Sequence, residues 1–197
     1  MKIAVCQNGI LLREIEYSDT EQIVRWRNQD AVRLRFIDQR LFTSASHEAW
    51  LKNYVETGRV KQFIICVLKD GMPDREENYE PVGSVYFRDI DETHRKAEYG
   101  IFIGEESARG KGVGSRTARL MLRYGFETLH FHRIFLRVYA DNLPAIRSYE
   151  HAGFEREALL KDDVFTGGKF HDIILMAAIN PKERDMFGSE KGTGLES

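Results

Sequence analysis

The sequence predicts a single α+β domain, and three features of the chain carry that prediction. Strand-like segments follow one another between Gln62 and Gly104 with short polar breaks, as in an antiparallel meander. From Arg109 the apolar spacing turns helical, and the order becomes strand–helix–strand–helix–strand. Near the end, Thr166-Gly167-Gly168-Lys169 separates two extended runs and reads as a hairpin turn.

Leu11, Leu12 and Ile15 mark a first short strand that ends at Tyr17-Ser18-Asp19. Ser18 or Asp19 suits a helix N-cap, and the helix it opens carries Ile23, Trp26 and Val32. Thr43-Ser44 caps a second helix with His47, Trp50, Leu51 and Tyr54, closed by Gly58. Gln62 to Leu68 is apolar without alternation and short, which predicts a buried strand. Asp70 to Glu80 is a polar loop, followed by strands over 82–88 and 97–104. Val113, Thr117, Leu120, Met121 and Tyr124 fall on one face of a long helix. Arg133 to Ala140 is a strand with Ile134, Leu136 and Val138 on one side. Asp141-Asn142-Leu143-Pro144 starts a helix that Gly153 stops.

At 197 residues the chain suits one domain, residues 1–180, that buries roughly 70% of its unfolded surface. Residues 181–197 are polar and Gly-containing, and are expected to be a flexible tail. Lys and Arg number 29 against 31 Asp and Glu, a net charge of −2, which argues against a dedicated nucleic-acid binder. Crowding of Arg25, Arg27, Arg33 and Arg35 keeps a nucleic-acid-associated reading in view. Of two cysteines, Cys66 sits in the apolar run and reads as inert packing. No signal-peptide pattern and no ~20-residue apolar span is present, so a cytoplasmic protein with no membrane association is expected. The six histidines show no ligand spacing, and no metal is expected.

Arg109-Gly110-Lys111-Gly112-Val113-Gly114 joins a strand to a helix. Glycines let backbone approach a ligand closely, and the first N–H groups of the following helix form an anion site. Arg109 and Lys111 add positive charge where a pyrophosphate would lie. Neither a Gly-x-Gly-x-x-Gly fingerprint nor a P-loop fits these residues.

Arg109-x-x-Gly112-x-Gly114 resembles the acetyl-CoA signature of the GNAT superfamily of N-acetyltransferases. Ala97 through Gly114 looks like the RimJ/RimL-type, ribosomal-protein-acetylating branch. Asn142-x-x-Ala145-Ile146-x-x-Tyr149-Glu150-x-x-Gly153-Phe154 matches a second family block, and Gly168-Lys169-Phe170-x-Asp172 a third. The resemblance implies a mixed, mostly antiparallel sheet of about seven strands flanked by about four helices. It implies transfer of an acetyl group from acetyl-CoA to a primary amine by direct attack in a ternary complex.

On the same resemblance, backbone of Arg109, Gly110, Lys111, Gly112, Val113 and Gly114, extending to Ser115, holds the pyrophosphate. Strand backbone at Ile101, Phe102 and Ile103 pairs with the pantetheine amides, and Asn142 contacts the same arm while also suiting a helix N-cap. Tyr149 matches the general-acid position near the thioester sulfur, although tyrosine at helical spacing also fills cores. Glu98 is the candidate general base, against a plain strand carboxylate near Arg95 and Lys96; a water relay without a dedicated base is the other route.

The acceptor stays open between an amino-sugar nucleotide, a protein N-terminus and a small amine. Trp26-Arg27-Asn28, Val32-Arg33, Phe36, His47 and Trp50-Leu51 resemble the first helices of amino-sugar N-acetyltransferases, although both tryptophans also suit the core. Asp162-Asp163 and Glu76-Glu77 are solvated loops or, alternatively, attract a polyamine. An acetyl-CoA sensor or structural module without turnover is the non-enzymatic alternative. A homodimer is implied by analogy with relatives alone.

Overall fold

Phe63 to Val67 leave their strand no polar face, and the run is buried third in a sheet of eight strands. The computed structural model describes residues 2–183. Its strands are β1 (Ile3–Gln7), β2 (Ile10–Glu14), β3 (Lys61–Leu68), β4 (Tyr79–Asp91), β5 (Lys96–Ile103), β6 (Arg133–Tyr139), β7 (Glu155–Thr166) and β8 (Lys169–Ile179). The helices are α1 (Thr20–Arg27), α2 (Asp30–Arg33), α3 (Ser44–Trp50), α4 (Val113–Glu127) and α5 (Leu143–Ala152); a π-helical segment, Leu51–Val55, continues α3, and short 3-10 turns precede α1, β4 and α4. The sheet order is β1-β2-β3-β4-β5-β6-β8-β7, and only β5–β6 is parallel.

The α+β class and the mixed, mostly antiparallel sheet agree with expectation; the strand count differs by one. The additional strand is β1, joined to β2 by Asn8-Gly9 with φ of +51° and +71°. That pair of left-handed residues is the two-residue turn that matches strand twist. The first expected helix is also two. Asn28 ends α1 because its amide exchanges two hydrogen bonds with the backbone of Phe42, at 2.8 and 2.9 Å. Gln29 is then extended before α2 begins. Asp19 does not cap α1 with its side chain. It accepts a fork from Arg13 at 2.7 and 2.5 Å, nearly closed to solvent. At α3 the cap is as expected: Thr43 Oγ1 accepts from Ser46 N–H at 3.1 Å, and Ser46 Oγ returns a bond to Thr43 N–H at 2.9 Å.

Alternation along the strands splits the apolar residues between two faces. On one, α4 and α5 cover Val85, Phe87, Tyr99, Ile134, Leu136 and Met176. On the other, α1 to α3 cover Leu11, Ile64, Cys66 and Phe102, with Trp26 fully buried among them. Residues 181–183 begin the expected tail but are tied down: the Glu183 carboxylate pairs with Arg95 and lies 2.8 Å from His132 Nδ1. The rest of that tail lies outside the described residues. Among the described residues no helix is long and apolar enough to cross a membrane.

Candidate active site

β5 and β6 pair only from Lys96–Glu98 to Arg133–Phe135 and then part. β5 stays bonded to β4 as far as Ile103, so its edge toward β6 is unpaired from Tyr99 onward. A cleft of about 980 Å³ passes through this split and reaches both faces of the sheet.

On the face covered by α4 and α5, the cleft meets the glycine turn. Gly110 and Gly112 both have φ of +72°, and a Cβ at either would find no protein atom within 4 Å. The left-handed backbone thus encloses open space rather than packed side chains. Gly112 precedes the 15-residue α4, whose first intrahelical bond is Arg116 N–H to Gly112 O at 3.1 Å. The N–H groups of Val113, Gly114 and Ser115 come before that bond and have no carbonyl of their own helix to reach. Val113 is anchored in the core, and Ser115 Oγ lies 3.4 Å from Ser148 Oγ on α5.

The cationic side chains of the turn lie elsewhere than the sequence suggested. Arg109 donates through Nε to Ile103 O at 3.1 Å and through Nη2 to Gly104 O and Gln29 Oε1, both at 3.0 Å. It therefore clamps the turn to the end of β5, and Lys111 is exposed and does not line the cleft. The anion-binding character of the turn rests on backbone. Asn142 stands at the N-cap of α5 but makes no side-chain cap bond, and it lines the cleft. Tyr149 lines it from the same helix, packed edge-on against Tyr99 (centroids 6.1 Å) and Phe154 (5.9 Å). Burial raises the Tyr149 phenol above its ordinary value, so it keeps its proton at neutral pH. Tyr99 adds a buried hydroxyl without a hydrogen-bond partner on the same wall.

Glu98 stands on the opposite face of β5, beside Gly100 and Phe102. It is 4% exposed. Both its oxygens accept from Arg88, at 3.0 Å each, and from Arg137, at 3.2 and 3.4 Å. Burial pushes its pKa up, but the two guanidinium groups outweigh that and hold it below the usual carboxylate value. Tyr86 covers the neighbouring backbone so closely that a Cβ on Gly100 would lie 2.5 Å from its hydroxyl. Trp50, stacked on Tyr54, donates from Nε1 to Gln62 Oε1 at 2.9 Å and lines this wall, whereas Trp26 is core.

The Arg88 and Arg137 forks depend on register across β4, β5 and β6 and leave no mark in local sequence. Four arginines that look alike in the sequence meet different fates. Arg25, Arg33 and Arg35 pair with Glu105, Asp30 and Asp141, while Arg27 is buried. Glu76-Glu77 and Asp162-Asp163 do not line the cleft. Cys66 is buried, and burial pushes its thiol up to about 11.

A sheet split beside a glycine turn at a helix N-terminus, with a protonated phenol on one wall, is the arrangement of a site for a phosphate-bearing group carrier. The chain belongs to the acetyltransferase (GNAT) domain family, whose model matches residues 10–155. Spermidine N(1)-acetyltransferase of Escherichia coli (strain K12) is 36% identical over 97 residues, which are 49% of this chain and 52% of that one. The chain thus matches about half the length of that relative. The Vibrio cholerae spermidine N(1)-acetyltransferase is 25% identical over 173 residues, 88% of this chain and 94% of that one. A putative ribosomal N-acetyltransferase, YdaF of Bacillus subtilis, is 29% identical over 92 residues, 47% of this chain and 50% of that one. Among solved structures, the V. cholerae spermidine N-acetyltransferase in complex with CoA and spermine has a TM-score of 0.80 at 23% identity. It covers 89% of this chain and 98% of that one, a likeness of fold.

Proposed function

We propose that the chain is an acetyl-CoA-dependent N-acetyltransferase of a small primary amine, in the RimJ/RimL-like branch that its 97–114 segment resembles. The observation that carries this reading is the open cradle at Gly110 and Gly112 beside the unpaired edge of β5. Acetyl-CoA, when bound, supplies the thioester acetyl group. The N–H groups at the start of α4 would hold its pyrophosphate, and the free β5 edge at Ile101–Ile103, with Asn142, its pantetheine arm.

Tyr149 holds a proton at the sheet split and serves there as the donor to the leaving group. Its raised pKa favours a hydrogen bond over full proton transfer. Glu98 is committed to two arginines and depressed in basicity, so we assign removal of the amine proton to a water relay, with Glu98 positioning Arg88 and Arg137. The reading goes with a cytoplasmic setting, where acetyl-CoA is made. It also goes with a homodimer, for which the Phe165–Phe170 pair on the β7–β8 hairpin, 63% and 61% exposed, offers apolar surface. Sedimentation as a monomer at micromolar concentration would remove the dimer.

Thermal unfolding with acetyl-CoA, against NAD and ATP, tests the assignment. Saturation at 100 times Kd adds ~2.7 kcal/mol, a rise of roughly 5–10 °C. No rise with acetyl-CoA overturns the reading. A rise without CoA release in the presence of any amine would leave the sensor alternative in its place.

A further inference from the structure

The acceptor wall of the cleft holds a buried cation that feels the Asp38 carboxylate only at a distance and has no carboxylate in direct contact among the described residues. Arg27 lines the cleft and is 5% exposed. Its guanidinium carbon lies 3.6 Å from the centroid of Phe36, 4.6 Å from Phe42 and 6.0 Å from Phe102. Nη2 donates to the Asp38 carbonyl at 3.3 Å, and Nη1 is buried without a hydrogen-bond partner. The Asp38 carboxylate is engaged instead by Arg40, at 2.6 and 2.9 Å, and no carboxylate pairs with Arg27 among the described residues. Arginine stays charged in proteins, so this is a desolvated cation with an open donor. A buried charge without a partner is costly, and buried donors are seldom left open.

Two neighbouring facts point the same way. His47, 1% exposed on α3, also lines the cleft; its Nδ1 lies 3.0 Å from Thr20 Oγ1 while Nε2 has no partner. Arg27, Arg35, Arg40, Arg88 and Arg137 bring five positive charges to this part of the cleft against the two carboxylates Asp38 and Glu98, an excess of three. Asp89, 3.8 Å from Arg88, does not line the cleft. A polycation entering here would meet that excess, with Asp38 already held by Arg40 and Glu98 by Arg88 and Arg137.

We propose that the acceptor is a primary amine that also bears an oxyanion, a carboxylate or a phosphate, and that Arg27 Nη1 donates to that group. The proposal rests on the acetyltransferase reading of the same cleft. It gives the buried guanidinium the counter-ion and the fork geometry that it lacks in the protein alone.

Calorimetric titration of the protein, with and without CoA, tests it. The probes are glucosamine 6-phosphate against glucosamine, 4-aminobutyrate against 4-aminobutyramide, and spermidine. One anionic probe should bind about ten- to a hundredfold tighter than its neutral parent, and the pair that responds tells phosphate from carboxylate. Arg27→Gln should bring that pair to parity while acetyl-CoA affinity stays unchanged, and Arg27→Lys should keep part of the preference. Anionic probes no better than their parents, spermidine binding tightest, or a preference that survives Arg27→Gln would each overturn the proposal and leave Arg27 an aromatic-stacked core residue. If Arg27→Gln does not fold, the wild-type pairs decide alone. Failure of the acetyltransferase reading shows separately, as absence of the acetyl-CoA unfolding shift.

Discussion

Replacing Gly112 by alanine separates what the glycine turn costs the fold from what it does for a ligand. At φ +72° an L-residue is strained, but its Cβ would meet no protein atom within 4 Å. The folding cost is therefore the left-handed backbone alone, about 1–2 kcal/mol, or a fall in Tm of about 2–8 °C for a chain of this size. The same methyl enters the space in front of the α4 N-terminus. Displacing a phosphate from charge-assisted backbone bonds should cost about 1.5–3 kcal/mol, a ten- to hundredfold weaker acetyl-CoA Kd. Gly58 is the matched control, with φ +76°, equally open surroundings and no part in the cleft. Gly58→Ala should lose similar stability and bind acetyl-CoA as the wild type does. Calorimetric Kd values with Tm recorded for each variant decide the matter. An unchanged Kd in folded Gly112→Ala would refute the argument that this turn cradles the pyrophosphate.

Tyr149→Phe keeps the ring contacts with Tyr99 and Phe154 and removes only the hydroxyl, so kcat should fall at least about tenfold with acetyl-CoA Kd unchanged; equal kcat would remove Tyr149 as the donor. Glu98→Gln leaves Arg88 and Arg137 without their carboxylate, and because both reach solvent the loss should be about 2 kcal/mol, read as a lower Tm. The Glu98 pKa is depressed by folding, so its stabilisation is present above the unfolded value near 4.3 and is lost as pH falls through the folded one. The Tm of the wild type should therefore fall more steeply than that of Glu98→Gln between about pH 5 and pH 3, and parallel slopes would refute the linkage. At pH 8 iodoacetamide should modify exposed Cys6 and spare Cys66, whose thiol is pushed up to about 11; mass spectrometry showing Cys66 alkylated in the native protein would contradict its burial.

Much of the fold was legible because it depends on local rules. The glycine turn, the Thr43 cap, the Gly153 stop and the Gly167-Gly168 hairpin each follow from what a few adjacent residues can do, and each stands where expected. β1 was equally readable from Asn8-Gly9 and from its apolar Ile3-Ala4-Val5-Cys6, although as the outermost strand its five residues are at most half-buried. The side-chain pairings were not legible. Arg88 and Glu98 are ten residues apart and meet only because β4 and β5 register them opposite each other; Arg137 joins through the parallel β5–β6 ladder. Nor does spacing distinguish Arg27 from Arg25, Arg33 and Arg35. What separates them is a loop, pinned by Asn28 to Phe42, that places two phenyl rings against one guanidinium.

The parity of β5 explains why both sides of the candidate site converge at one place. Tyr99, Ile101 and Ile103 face α4 and α5, and Glu98, Gly100 and Phe102 face α1 to α3, so groups on the two faces are kept apart by the sheet wherever β5 and β6 are paired. The ladder stops at Glu98, the position where the arginine forks cross from β4 and β6. Arg88 and Arg137 thus brace the strands at the point of parting, and the neutral phenol of Tyr149 and the cationic wall of Arg27 line one continuous cleft. On the proposed reading, a donor held on the α4 side and an amine held on the α1 side would meet only there. This is why a one-residue slip of β5 would exchange the two walls and abolish the site while leaving the sheet intact.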